Sequence, residues 1–153
     1  MYRYSDNNKN NDISLHDCRA KKLVLGDGYI SFVFDDGFYV TETNENNYNK
    51  KLSYTDKSEV VFRTRYDDSI TIYVFSDTEE KGKSVREQIT QTHLSKMLDN
   101  GTELEFLYEY KGYQSYVFEC WLWFDSEPYH KECVIIISSD DVSYNWNSLY
   151  TEE

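Results

Sequence analysis

Apolar and polar residues alternate along most of this chain. In residues 29–34, one side of an extended chain carries Ile30, Phe32 and Phe34, and the other carries Tyr29, Ser31 and Val33. Period-two alternation bounded by Gly and Asp predicts a half-buried strand. The stretch 13–42 is therefore predicted to form three or four short strands. Its turns lie at Gly-Asp-Gly (26–28) and at Asp36-Gly37, a pair that suits a tight hairpin.

The same alternation predicts more strands further along the chain. A second hairpin is predicted from residues 59–66 and 69–76 around Asp67-Asp68. In the next strand, the pattern places Leu104, Phe106, Tyr108 and Tyr110 on one face. Three more strands are predicted at 113–124, 130–138 and 142–150.

One helix is predicted near residues 85–99. Ser84 and Glu87 have the spacing of a capping box, and Asn100-Gly101 is a typical helix end. The order of strands, one helix and further strands predicts an α+β, mainly antiparallel fold. We expect about eight or nine strands in a curved sheet, a sandwich or a partly open barrel.

Composition supports a β-rich domain. The 153 residues include 15 Tyr, 8 Phe and 3 Trp, which favour a pleated, half-buried surface. Residues 1–12 are rich in Asn and Asp and are predicted to form a flexible N-terminal arm. Residues 13–153 are predicted to form a single β-rich domain.

The net charge of −12 argues against nucleic acid and anionic membranes as partners, since both would repel the chain. It suits a basic protein partner, although acidity also serves solubility alone. The N-terminal sequence lacks the apolar core of a signal peptide. Three cysteines, an odd number, fit reduced thiols better than a disulfide framework. These features predict a cytoplasmic protein.

His16 and Cys18 are the weak catalytic candidates. On a regular strand they point the same way, so His16 could activate the Cys18 thiol. A Cys–His pair normally comes from separate parts of a fold, however, and Cys is often a small buried hydrophobe. We expect a structural role for Cys18.

The pattern His-Asp-Cys (16–18), Gly-Tyr-Ile-Ser-Phe-Val-Phe (28–34) and Asp-Gly-Phe (36–38) resembles a set of small, acidic, uncharacterised bacterial proteins. The resemblance covers about the first quarter of the chain. It implies a bacterial origin and no activity, substrate or catalytic residue.

Cys120 and Cys133 are predicted to face each other if residues 126–127 form the turn between their strands. A disulfide or a metal site is conceivable there, but zinc-ligand spacings are absent and His130 points to the other face. Packed thiols are the preferred interpretation. No metal or cofactor is predicted.

Trp121 and Trp123 share the strand face opposite Phe118 and Leu122, and His130 is predicted to lie across from Trp123. If this face meets solvent, these three residues form a candidate binding site. Alternatively, the helix or the segment containing Trp146 covers them as a second core.

The favoured functional hypothesis is a non-enzymatic binding protein, of the immunity type that neutralises a basic protein partner. The chain shows no phosphate-binding loop, nucleophile elbow or HExxH motif. The alternatives are a small-ligand or carbohydrate-binding domain, or an enzyme with a pocket near His16 and Cys18.

Overall fold

A computed structural model describes residues 1–66 and 69–152. Its strands are β1 (Tyr4–Asp6), β2 (Ile13–Ser14), β3 (Cys18–Ala20), β4 (Lys22–Gly26), β5 (Tyr29–Phe34), β6 (Tyr39–Val40), β7 (Ser53–Thr55), β8 (Ser58–Arg63), β9 (Ile70–Asp77), β10 (Ser84–Ile89), β11 (Glu103–Gly112), β12 (Ser115–Trp123), β13 (His130–Ser138), β14 (Val142–Trp146) and β15 (Leu149–Tyr150). The helix α1 spans Gln91–Asp99. The predicted α+β, mainly antiparallel class is confirmed, with more strands than the eight or nine expected.

The strands form three antiparallel sheets. The six-stranded sheet has the order β10-β9-β13-β12-β11-β3, and the five-stranded sheet has the order β1-β14-β8-β5-β4. A small sheet of order β15-β7-β6-β2 completes the fold. The two large sheets face each other as a sandwich and do not close into a barrel.

Phenylalanines from both large sheets interlock in the core. Phe106 lies 5.3 Å from Phe32 and 5.2 Å from Phe118, measured between ring centroids, and both pairs meet edge to face. Phe62 reaches across to Phe118 at 5.9 Å. Such edge-to-face pairs add to the free energy gained by burying the rings. The alternating apolar positions therefore line one interior shared by the two sheets.

Two predicted hairpins are wrong. Asp36-Gly37 does not join paired strands, because β5 belongs to the five-stranded sheet and β6 to the small one. The segments 59–66 and 69–76 also separate, since β8 and β9 lie in different sheets. Asp67-Asp68, the turn predicted between them, lies outside the described residues. Local alternation identified these strands but could not assign their partners.

The helix is shorter than predicted at its N-terminal end. Residues 84–89 form β10, which pairs with β9 from Ser84↔Asp77 to Ile89↔Ile72. Thr90 caps the helix, and its hydroxyl accepts a hydrogen bond from the His93 amide at 3.1 Å. The predicted stop is close to the observed one, because Asn100 is the C-cap and Gly101 has a positive φ.

The N-terminal segment is packed onto the body, unlike the flexible arm expected for 1–12. β1 pairs with β14 from Tyr4↔Trp146 to Asp6↔Tyr144. Asn8 is buried and exchanges hydrogen bonds with the Ile13 backbone at 2.9 and 3.1 Å. Within 1–66 and 69–152, no helix has the length and hydropathy required to cross a bilayer.

Candidate functional site

The candidate site is the outer face of the six-stranded sheet, the side that points away from the five-stranded sheet. The pairing of β9, β13, β12 and β11 aligns its side chains in rows across the sheet. One row reads Tyr73, Val134, Glu119, Tyr108, and the next reads Phe75, Glu132, Trp121, Glu105. We call the set Tyr73, Phe75, Tyr108, Tyr110, Trp121 and Trp123, with the carboxylates between them, the aromatic–acidic face.

The opposite surface of the sandwich has a different character. Along β5, β8 and β14, the outward positions include Ser31, Glu59, Arg63, Ser143 and Asn145. Ser31 donates a hydrogen bond to Glu59 at 2.8 Å, so polar groups satisfy each other there. Solvated polar side chains are the usual outer surface of an antiparallel sheet. The concentration of aromatic rings on the other sheet is therefore a specific feature of that side.

No described element covers the aromatic–acidic face as a second core. The helix packs mainly against β4 and also against β9, with Leu94 and Leu98 buried, and Ser95 donates a hydrogen bond to the Leu23 carbonyl at 2.8 Å. Trp146 is wholly buried in the interior of the sandwich, stacked on Tyr4 at 5.7 Å. Both elements that were considered as covers for the tryptophans thus lie elsewhere.

The predicted trio of Trp121, Trp123 and His130 is brought together on this face. His130 pairs with Trp123 as the register predicted, and its ring lies 4.7 Å from Trp121 and 5.2 Å from Trp123. The two indoles meet at 72°, edge to face, with 5.5 Å between centroids. Rings at this angle do not form the single flat platform on which a sugar ring stacks. The geometry therefore does not favour the carbohydrate-binding alternative.

Two arginines of the face already stack on its aromatic rings. The Arg19 guanidinium carbon lies 4.6 Å from the Trp123 ring centroid, and that of Arg86 lies 4.5 Å from the Tyr73 ring. Cations are attracted to the negative face of aromatic rings. Arg19 also pairs with Glu103 at 3.5 Å and with Glu105 at 3.7 Å. These contacts show that the face can hold basic side chains against rings and carboxylates together.

The carboxylates of Glu119 and Glu132 on this face are available to pair with a cation from outside the chain. Both are exposed, and neither takes part in an ion pair within the described part of the chain. Glu119 lies between Val134 and Tyr108 in its row, and Glu132 lies between Phe75 and Trp121. Each thus presents a negative charge beside apolar or aromatic surface.

His16 and Cys18 do not form a catalytic pair. Asp17 between them has φ of +64°, so the regular alternation is broken and β3 begins only at Cys18. The exposed His16 ring contacts the Leu107 carbonyl through Nδ1 at 2.5 Å. Cys18 is buried, and burial raises the pKa of its thiol to about 12. A neutral thiol is a poor nucleophile, which fits the expected structural role.

Cys120 and Cys133 are opposed across β12 and β13, as the register predicted. Both are buried free thiols, and burial is the largest cause of the raised pKa of each. Among residues 1–66 and 69–152, no cluster of three or more His, Cys, Asp or Glu side chains could hold a metal ion.

Sequence reasoning missed Tyr108 and Tyr110 as members of the face. A β-bulge between Phe106 and Tyr108 shifts the register of β11 by one residue. The two tyrosines, assigned to the same side as Leu104 and Phe106, therefore point outward and are 57% and 54% exposed. Glu109 points inward instead. A bulge adds one residue without breaking the alternation on either side, so no pattern in the sequence indicates it.

Comparisons of this chain with protein-family models, with curated proteins and with solved structures found no match.

Proposed function

We propose that this chain is a non-enzymatic binding protein that holds a basic protein partner on its aromatic–acidic face. The observation that carries the proposal is the placement of Glu119 and Glu132 among aromatic rings: neither forms an ion pair with a described residue, and no described element covers their sheet face. A lysine or arginine of the partner gains charge attraction from these carboxylates and ring contacts from Phe75 and Tyr108.

The charge of the face favours a basic occupant over a second copy of the chain. The strands that form it direct four glutamates outward, Glu103, Glu105, Glu119 and Glu132, against the two arginines Arg19 and Arg86. At one edge of the face, Lys81, Lys83 and Lys131 line a cleft beside Glu132, so Glu119 carries the less compensated charge. If two copies met through this face, these carboxylates would face each other in the interface, and each chain carries a net charge of −12. Like charges set against each other in an interface cost several kcal/mol.

The face is large enough for a specific interface. Six strands spaced by about 4.8 Å, with central strands about 30 Å long, give a surface of roughly 700 Å². Each partner in a standard protein interface buries about 800 Å². Aromatic residues are also the side chains most enriched at such interfaces, where they act as anchors.

The finer form of the proposal is a cytoplasmic protein of the immunity type, which neutralises a basic toxin. Acidity supports this form, because electrostatic steering raises the rate at which oppositely charged proteins meet. Rapid capture is what neutralisation of a toxin requires.

The test is copurification from cytosol of the source organism at low salt, followed by an affinity measurement with the captured protein. The test variant is Glu119→Lys with Glu132→Lys. The matched control is Glu42→Lys with Glu45→Lys, two exposed loop positions that change the net charge equally. We expect the test pair to weaken binding at least tenfold and the control to weaken it far less.

Equal weakening by both pairs would show that only the net charge matters and would remove the face from the proposal. Failure to capture any specific protein would count against a binding function. A captured chain identical to this protein would assign the face to self-association instead.

A further inference from the structure

A groove of about 420 Å³ lies beside the second half of β11, and Tyr108 of the aromatic–acidic face stands at its rim. One wall is formed by residues 11–16, which include the short strand β2, and the other by β11 beyond its bulge. The volume falls within the range of small-molecule sites, about 300–1,000 Å³. This groove contains His16 but not Cys18.

The bulge and the short strand β3 together create the groove. β3 pairs with β11 only over Leu104, Glu105 and Phe106, and the Asp17 amide donates the next hydrogen bond to the Phe106 carbonyl. Beyond that point, β11 pairs with β12 alone in the described structure. The register shift at the bulge then directs Glu109 toward the interior, where it lines the groove.

Glu109 and Lys111 form an incompletely satisfied pair of opposite charges. Glu109 Oε1 is buried and lies 3.7 Å from Lys111 Nζ, a distance longer than an ordinary hydrogen bond. Lys111 Nζ donates one long hydrogen bond, to the Asn8 carbonyl at 3.4 Å. Burial raises the pKa of Glu109, and the Lys111 ammonium opposes that rise. Both groups therefore have hydrogen-bonding capacity left.

A buried hydroxyl lies close to this pair. Tyr144 Oη is fully buried and lies beside the Glu109 carboxyl and the Asn8 side chain, although neither contact has the distance and angle of an ordinary hydrogen bond. Burial raises the pKa of Tyr144, and the nearby Glu109 carboxylate raises it further. The phenol therefore stays protonated and contributes a polar group next to the Glu109–Lys111 pair.

The rest of the groove combines apolar and polar residues. Phe106 and Phe118 lie at its inner side with Ile13 and Leu15, and Asn11, Ser14 and Thr41 add polar groups. Tyr108 and His16 stand at its rim with their rings 5.7 Å apart. Ligand sites usually combine apolar surface with convergent polar groups.

We propose that this groove binds a small zwitterion with an apolar side chain, that is, a free amino acid. The ligand's ammonium donates to Glu109, its carboxylate accepts from Lys111, and its side chain lies against the apolar lining. A ligand with adjacent positive and negative groups complements the adjacent acid and base of the groove. A ligand with only one charge satisfies one of them and leaves the other unpaired. This proposal does not depend on the proposed binding of a basic protein.

Four probes of similar size test the proposal by NMR titration or calorimetry with the full chain. L-Phenylalanine carries both charges, phenethylamine only the ammonium, and 3-phenylpropionate only the carboxylate. N-Acetyl-L-phenylalanine amide represents a peptide chain and carries neither. We expect phenylalanine to bind at least tenfold tighter than each of the other three, about 1.4 kcal/mol. Equal or tighter binding of the amide, or no binding of phenylalanine at millimolar concentration, overturns the proposal.

Two variants test which side chain contacts the ammonium of the ligand and which contacts its carboxylate. Glu109→Gln keeps the shape of the side chain and should abolish the preference for phenylalanine over 3-phenylpropionate. Lys111→Met should abolish the preference for phenylalanine over phenethylamine. Glu87→Gln, at an exposed position of β10 outside the groove, is the control and should leave both preferences unchanged. If Glu109→Gln and Lys111→Met weaken all four probes equally, the assignment of the two charges is wrong.

Discussion

Glu132 lies directly opposite Trp121 across β12 and β13, and Phe75 flanks it on the other side. A charged side chain is thus set between two aromatic rings on the outside of a sheet. Exposed carboxylates gain nothing from apolar neighbours in the free protein. The arrangement suits a bound cation, because the carboxylate and the rings then attract the same group.

Trp121→Ala should separate binding from stability. The ring lies on the uncovered face, so its loss should lower the free energy of unfolding by about 1 kcal/mol, while Phe118→Ala, in the core, should lower it by about 3–5 kcal/mol. The same Trp121→Ala change should weaken binding of the captured partner by about 2 kcal/mol, the size of an interface hot spot. Urea unfolding and an affinity titration measure the two effects. Equal destabilisation by both variants would mean that the Trp121 ring is covered.

The cap of the helix offers a test of where the helix begins. Thr90 accepts a hydrogen bond from the His93 amide, so Thr90→Ala should lower the free energy of unfolding by about 1 kcal/mol. Ser84 lies in the edge strand β10 with an exposed side chain, so Ser84→Ala should change it by less than about 0.5 kcal/mol. Thermal or urea unfolding of both variants gives the comparison. A larger loss from Ser84→Ala would support the capping box predicted from the sequence.

The misplaced helix start shows where local patterns stop being informative. Ser84 and Glu87 have capping-box spacing, yet Glu87 pairs with Val74 and Ile89 with Ile72 in a sheet. Between Ser84 and Thr90, alternation and helical periodicity are both compatible with the sequence. The edge of β9 decides the outcome, because its backbone groups gain hydrogen bonds when β10 adds to it. The presence of that edge depends on the tertiary structure, so residues 84–90 alone do not indicate it.

The difference between local patterns and tertiary structure also explains which parts of the two candidate sites could be predicted from the sequence. The residue pairs of β12 and β13 could be predicted, because the short turn at residues 126–127 fixes which residues oppose each other. Their consequence, the grouping of Trp121 with His130, followed directly. The bulge after Phe106 could not be predicted. It places Tyr108 outward and Glu109 inward. The sequence pattern therefore could not assign Tyr108 to the aromatic–acidic face or Glu109 to the groove.

Gly37 is a sharper test of the fold than the other turn glycines. Its φ is +78°, and an added Cβ would collide with the Thr55 carbonyl, a backbone group that cannot turn away. Gly82 has a similar φ of +82° but open space around it. Gly82→Ala should therefore cost about 1 kcal/mol from backbone strain alone. Gly37→Ala should cost at least about 3 kcal/mol.

Urea unfolding of the two glycine variants isolates the collision, since both carry the same strain. Equal losses would indicate that the crossing from β5 to β6 is looser than the structure shows. That crossing carries the chain from the five-stranded sheet to the small sheet.

The buried thiols predict how stability depends on alkaline pH. Burial raises the pKa of Cys18 and of Cys133 to about 12, from an ordinary value of 9.0. Below pH 9 both states keep the proton, so these groups do not change the free energy of unfolding. Between pH 9 and 12 the unfolded chain releases protons that the folded chain retains. The free energy of unfolding should then fall by roughly 1 kcal/mol per pH unit for each thiol.

Cys133→Ala removes one of these thiols and should reduce the slope of the free energy of unfolding between pH 9 and 11 by that amount. The variant loses some packing at every pH, but a packing loss shifts the curve without changing its slope. In the wild-type protein at pH 8, a thiol reagent should label none of the three cysteines until urea unfolds the chain, because all three are buried. Rapid labelling of Cys18 in the folded protein would contradict this and would restore it as a candidate nucleophile.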